Sequence, residues 1–269
     1  MALQMGTHLA SVRDVLRYEP LARRLRASRG GTPVCDTTRA FLVWEPGRLV
    51  PSYAVPAEDL LVEASDPGAP AGSAGSQGPP GPHPEPGAVL TLHVGEEDLV
   101  AAGFRPDDPD LEGRVLLDSA AFAWTEEAQP ITGHPHDPFK RIDVLPSDRH
   151  VVVRLGGVVL AESTRPAALY ETGLPTRWYL PRADVRMDRL EPSPVRTVCA
   201  YKGQASYYSV AGAGDEGAAI AWTYTEPLHD ATPVRDLLCF WNERTDLELD
   251  GTAVPRPSSP FSGRPRQGR

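Results

Sequence analysis

The residues best able to do chemistry are concentrated in one short segment, CAYKGQASYYSV at 199–210. Lys202 stands beside Gly203, with Cys199, Tyr201, Tyr207 and Tyr208 around it. Only two of the 27 basic residues are lysine, Lys140 and Lys202; the rest are arginine. An ammonium on a flexible stem can change protonation, form a Schiff base, or act as a compact charge on an anion. Guanidinium stays charged, so a lysine kept amid arginines points to one of those roles. Strand alternation places Thr197, Cys199 and Tyr201 on one face. The Lys-Gly pair suits a tight turn, because glycine takes a positive φ at no steric cost. Cys199 beside a cation is a candidate thiolate, but with no nearby histidine a buried, inert thiol is the better reading. Cys239, in LLCFW, reads as core.

Other candidates fall around this segment. Glu171 sits in an apolar run, LYETG, and a carboxylate buried there needs a partner, for which Arg165 and Lys202 are candidates. Asp184 and Asp188 suggest a Mg²⁺ pair, but i and i+4 lie ~13 Å apart on an extended strand. A solvated face paired with Arg186 accounts for them better. His134 and His136 lie in a proline-rich stretch with no third ligand, and the three cysteines form no CxxC. No metal site is predicted. Phosphate-binding loops, HExxH and a Ser-His-Asp order are not found. The expected site is therefore Lys202 as the reactive or ligand-contacting group, with Tyr179, Tyr201 and Trp222 as an aromatic wall. Arg165 and Glu171 orient it and Gly203 makes the turn, all converging on one partly apolar pocket.

The elements that must position these residues read as mainly β, with one or two short helices per copy. HVVVRLGGVVLAES predicts a hairpin turning at Gly156-Gly157. RPAALYET and TPVRDLL look helical. An internal repeat is visible: Thr38, Arg39 and Glu45 share one offset with Thr164, Arg165 and Glu171. Tyr53, Pro56 and Asp59 match Tyr179, Pro181 and Asp184 after a deletion, and AFAWTEE echoes AIAWTYTE, placing Trp124 against Trp222. TLHVG at 91–95 aligns with CAYKG, so copy one lacks the Cys-Tyr-Lys-Gly block. The predicted organisation is a basic leader 1–33, a degenerate first copy 34–132 with a Pro/Gly-rich insertion 64–88, and a connector 133–149. An intact second copy 150–254 and a disordered tail 255–269 follow.

Bulk properties narrow the function classes. A net charge of −9 argues against gripping nucleic acid through phosphates. No apolar run approaches the ~20 residues that span a bilayer, and no signal peptide is evident. A cytoplasmic setting is expected, with a small-molecule ligand as partner, no nucleic acid, no membrane, and homo-oligomerisation left open.

Read as a unit, the run ETGLPTRWYLPRADVRMD followed by CAYKGQASYY resembles the bacterial family called domain of unknown function 427. The resemblance covers roughly 150–252 well and 34–127 weakly. Ala200 and Tyr208 depart mildly, standing where the family often has proline and tryptophan. The resemblance implies two β-tent-like domains in tandem, each of two antiparallel sheets. Relatives of that architecture often bind zinc through CxxC pairs, which this chain does not have. A nucleotidyltransferase label attached to the family finds no phosphate-cradling loop here. The expected function is binding of a small anionic or carbonyl-containing molecule at the Lys/Tyr/Trp site, with no cofactor named. The alternatives are nucleotidyltransferase-like phosphate chemistry and a non-catalytic interaction scaffold.

Overall fold

The computed structural model describes residues 2–66 and 83–262. Most of the predicted insertion and the last residues of the predicted tail lie outside the described residues. The chain divides into two compact units, Met1–Asp137 and Pro138–Arg269. Each is built from two antiparallel sheets.

In the first unit a seven-stranded sheet runs β1-β4-β5-β9-β8-β7-β6. Its strands are β1 (Arg17–Pro20), β4 (Phe41–Trp44), β5 (Ser52–Pro56), β6 (Glu63–Ser65), β7 (Gly87–Val94), β8 (Glu97–Pro106) and β9 (Arg114–Leu117). The four-stranded sheet runs β11-β10-β2-β3, from β2 (Leu25–Arg29), β3 (Thr32–Thr37), β10 (Ala123–Glu126) and β11 (Gln129–Ile131). In the second unit the large sheet runs β12-β15-β16-β20-β19-β18-β17. These are β12 (Ile142–Pro146), β15 (Ala167–Glu171), β16 (Arg177–Leu180), β17 (Leu190–Cys199), β18 (Gly203–Val210), β19 (Ala221–Thr223) and β20 (Leu238–Phe240). The small sheet runs β14-β13-β21-β22, from β13 (Val151–Leu155), β14 (Val158–Ser163), β21 (Asp246–Leu249) and β22 (Thr252–Val254). Taken in chain order, the strands of the two units occupy the same places in both sheets.

The predicted Gly156-Gly157 turn joins β13 to β14, both glycines at positive φ (55° and 80°). That is the backbone a two-residue hairpin with right-twisted strands requires. Gly30 and Gly31, at φ 57° and 88°, make the same turn between β2 and β3. The segment 17–33 is thus strand and hairpin of the first unit, where a leader was expected. The expected connector likewise contributes β12, paired with β15. Of the expected tail, Arg256 reaches Asp246 at 2.8 Å and Phe261 packs against Trp241. RPAALYET forms β15 despite its alanines, because pairing on both sides outweighs local helix preference.

Each large sheet is apolar on both faces. In the second unit Trp178, Leu180, Ala221 and Leu238 pack against Val151, Val153 and Leu160 of the small sheet. The opposite face carries Leu169, Tyr179, Tyr207, Trp222, Tyr224 and Cys239, joined by Ala231 and Val234 from the 3₁₀ turn His229–Val234. In the first unit Tyr53 packs between the sheets, with Leu42 and Trp124. Tyr53 and Tyr179 therefore face opposite ways, although the sequence aligned them. The register explains this, since Phe41 pairs with Ala54 where Ala167 pairs with Tyr179. A one-residue shift moves a side chain to the other face. Trp124 likewise lies on β10 of a small sheet and Trp222 on β19 of a large one, so those tryptophans are not counterparts. Phe104, paired with Leu116 as Trp222 pairs with Cys239, stands in Trp222's place.

Separate cores imply separate folding. Residues 138–269 expressed alone are expected to melt cooperatively with intact β-sheet circular dichroism. A fragment without a cooperative transition contradicts this division.

Candidate functional site

Lys202 ends the turn 200–202 that joins β17 to β18, and Cys199 pairs with Gly203 across it. This turn is buried: Ala200, Tyr201 and Lys202 are all inaccessible, Lys202 retaining 8% exposure. The backbone is pinned by the Leu228 N–H, which donates to the Lys202 carbonyl at 3.1 Å. Gly203 takes φ +90°, and an added Cβ would come within 3.3 Å of the Glu226 carbonyl oxygen. Both the dihedral and the crowding require glycine there.

Folding the turn inward brings Lys202 to Glu171 at the end of β15. Lys202 Nζ donates to Glu171 Oε2 at 2.5 Å, and Lys140 Nζ lies 3.1 Å from Glu171 Oε1. Lys140 is placed by β12, whose first residue, Ile142, pairs with Glu171. The two lysines of the chain therefore meet on one carboxylate. Burial works to raise the Glu171 carboxyl, and the two ammonium groups overcome it, holding the group below its ordinary range. The cluster contains two cations and one anion, so it carries one excess positive charge. Lys140, with 18% of its side chain exposed against 11% for Lys202, is the more accessible of the two cations.

An aromatic layer lies on the same sheet face. Trp222 Nε1 donates to Tyr179 Oη at 3.0 Å with the rings edge to face. Tyr207 packs on Trp222 and shares a 3.0 Å hydrogen bond with Thr197. Arg177 makes a bidentate pair with Glu243 at 2.6 and 2.7 Å and lies over Trp222 and Trp241. Burial pushes the Tyr179 and Tyr224 hydroxyls well above their ordinary values and the Cys239 thiol up to about 12. These groups remain neutral and inert.

The structure places Lys202, Gly203 and Glu171 together, with Tyr179 and Trp222 bonded to one another in the layer beside them. It does not bring Arg165 there. Arg165 is exposed and pairs with Asp184 at 3.1 Å, and Ser163 donates to the same carboxylate at 2.7 Å. The first unit builds the same clamp from Arg39, Asp59 and Thr37, which marks it as structural. Asp188 pairs with Arg186 at 3.0 Å, so the two aspartates serve separate arginines. No group of three or more potential metal ligands occurs among the described residues. Lys202, Glu171 and Lys140 form a contacting, largely buried cluster. Two surface grooves of the unit, about 440 and 340 Å³, are lined by other residues.

Two participants escaped the sequence reading. Lys140 lay in a supposed connector, and only the pairing of β12 with β15 brings it to Glu171. In the first unit Glu45, 1% exposed, is met by His83 Nδ1 at 2.8 Å, and the His83 ring stacks on Phe104. His83 shortly precedes β7 as Lys202 immediately precedes β18. An imidazole thus takes the ammonium's place, and TLHVG, within β7 and its turn, is not the counterpart of CAYKG.

Removing one partner of a buried ion pair strands the other, at a cost of about 3–5 kcal/mol. Glu171→Gln is expected to lose that much in urea unfolding at neutral pH. Because the folded-state carboxyl lies low, its contribution is present above the unfolded value of about 4.3 and disappears as pH falls through the folded one. Wild type and variant should therefore converge in acid; a constant gap down to pH 2 contradicts the assignment.

Comparison with known proteins adds one match. Residues 143–251 fit the family model described as Domain of unknown function (DUF427), a span that begins in β12 and ends after β21. No curated protein matches the chain. The span includes Glu171, Lys202, Gly203 and the aromatic layer, so the second unit is similar to the DUF427 family over the residues that carry the cluster.

Proposed function

We propose that the second unit binds a small anion, a carboxylate- or phosphate-bearing molecule, at the rim of the Lys202–Glu171–Lys140 cluster. The observation that carries this reading is the charge count: two ammonium groups share one carboxylate in a largely buried place. A second anion beside Lys140 completes the neutralisation, and the surrounding aromatic layer strengthens that interaction by excluding water. A carbonyl ligand is less well served. Lys202 donates to Glu171, and a protonated amine has no lone pair for addition to a carbonyl. The shared strand order supports reading the two units as copies of one ancestor, the first with a His83–Glu45 pair at the corresponding place.

Inorganic phosphate and acetate, each titrated against the full chain, test the proposal. Millimolar anion is expected to raise the wild-type melting temperature beyond the effect of equal ionic strength from chloride. A ligand at 100 times its Kd adds about 2.7 kcal/mol. The increment should vanish in Lys140→Ala, where the more accessible cation is gone. Equal increments in wild type and Lys140→Ala, or none in either, defeat the proposal and leave the cluster a structural ion pair of a binding scaffold.

A further inference from the structure

The first unit holds a second constellation, outside the family match. Ser65 Oγ lies 2.8 Å from His93 Nε2, and His93 Nδ1 lies 2.7 Å from Asp98 Oδ1. The sheet register assembles it: His93 on β7 pairs with Asp98 on β8, and Ser65 on β6 pairs with Thr91, two residues from His93 along β7. Alternation sends Leu92 and Val94 into the core and His93 to the other face. Three adjacent strands therefore hold the group, and it does not depend on a flexible loop. An imidazole whose Nδ1–H is fixed by a carboxylate presents its Nε2 lone pair to the hydroxyl, the relation that activates serine as a nucleophile. The group is accessible, since 34% of the His93 side chain and 70% of that of Asp98 are exposed. The second unit has nothing like it, as β18 carries no histidine.

We propose that Ser65, His93 and Asp98 form a hydrolytic site for small carboxylic esters. Ser65 Oγ adds to the ester carbonyl carbon as its proton passes to His93 Nε2. The ester C–O bond then breaks, and His93 delivers that proton to the departing alcohol. Water next adds to the acyl-Ser65, giving a proton to His93; the acid leaves and the proton returns to Ser65 Oγ. Asp98 is a positioning residue that holds the imidazole. β6 ends the strand order among the described residues, so its outer backbone N–H groups are unpaired by the ladder and are the donors nearest in sequence for the acyl oxygen. Glu63 and Glu96 adjoin the group in register or sequence, while Glu97 is paired with Arg29 at 3.0 Å, so uncharged or cationic esters are favoured over anionic ones.

The test is hydrolysis of p-nitrophenyl acetate by the full chain, with fluorophosphonate labelling and peptide mass mapping. The expected results are a label on Ser65 and a loss of at least about 10²-fold in kcat/KM for Ser65→Ala and His93→Gln, the scale of general-base assistance. Asp98→Asn, at an exposed position that does not threaten folding, should lower kcat with KM unchanged. An anionic p-nitrophenyl hemisuccinate should react more slowly than the acetate. Wild-type rates in Ser65→Ala, no label on Ser65, or full kcat in Asp98→Asn overturn the proposal.

Discussion

The second unit is organised around one buried carboxylate. Glu171 ends the strand β15, and the groups that answer its charge come from separate parts of the sheet's chain path. Lys140 arrives ahead of the first strand, and Lys202 from the turn between β17 and β18. Leaving Glu171 unpaired would strand a charge in an apolar face, so both segments must be in place when it is buried. This explains why the β17–β18 turn is folded inward instead of standing in water, and why glycine is required at 203. The excess positive charge that results is a property of the whole arrangement and belongs to no single lysine.

Comparison of the units separates what the architecture needs from what is particular to each. The Arg-Asp clamp occurs in both, from Arg39 and Asp59 or from Arg165 and Asp184, and fastens the segment after the second strand of each hairpin. The buried carboxylate also occurs in both. The partners differ: His83 and Arg48 meet Glu45, and two lysines serve Glu171. The aromatic layer differs as well, with Ala54 and Phe104 at the register positions of Tyr179 and Trp222. The first unit is thus a separately elaborated version of the same frame, with its own Ser65–His93–Asp98 group.

Much of this was legible in the sequence for identifiable reasons. Gly-Gly between apolar runs fixes a hairpin locally, and Lys202 stood out because arginine is used almost everywhere else. Glu171 in an apolar run demanded a partner, and Lys202 was among the candidates. The failures were non-local. Lys140 reaches Glu171 through strand pairing across a stretch that composition marks as a linker. Tyr53 and Tyr179 match as letters, yet one residue of register places them on opposite faces. Trp124 and Trp222 share a local motif but belong to different sheets. Ser65 stands at the start of the Pro/Gly/Ser-rich run and His93 beyond its end, so no spacing rule in the chain joins them.

The scarcity of lysine also makes the central claim directly observable. Protein labelled with ¹⁵N and ¹³C in lysine alone should give two side-chain ammonium signals, one each for Lys140 and Lys202. With both held on Glu171, each signal should shift in Glu171→Gln, and inorganic phosphate should move the Lys140 signal in a saturable manner. Two signals indifferent to Glu171→Gln and to phosphate would contradict a shared, positively charged cluster.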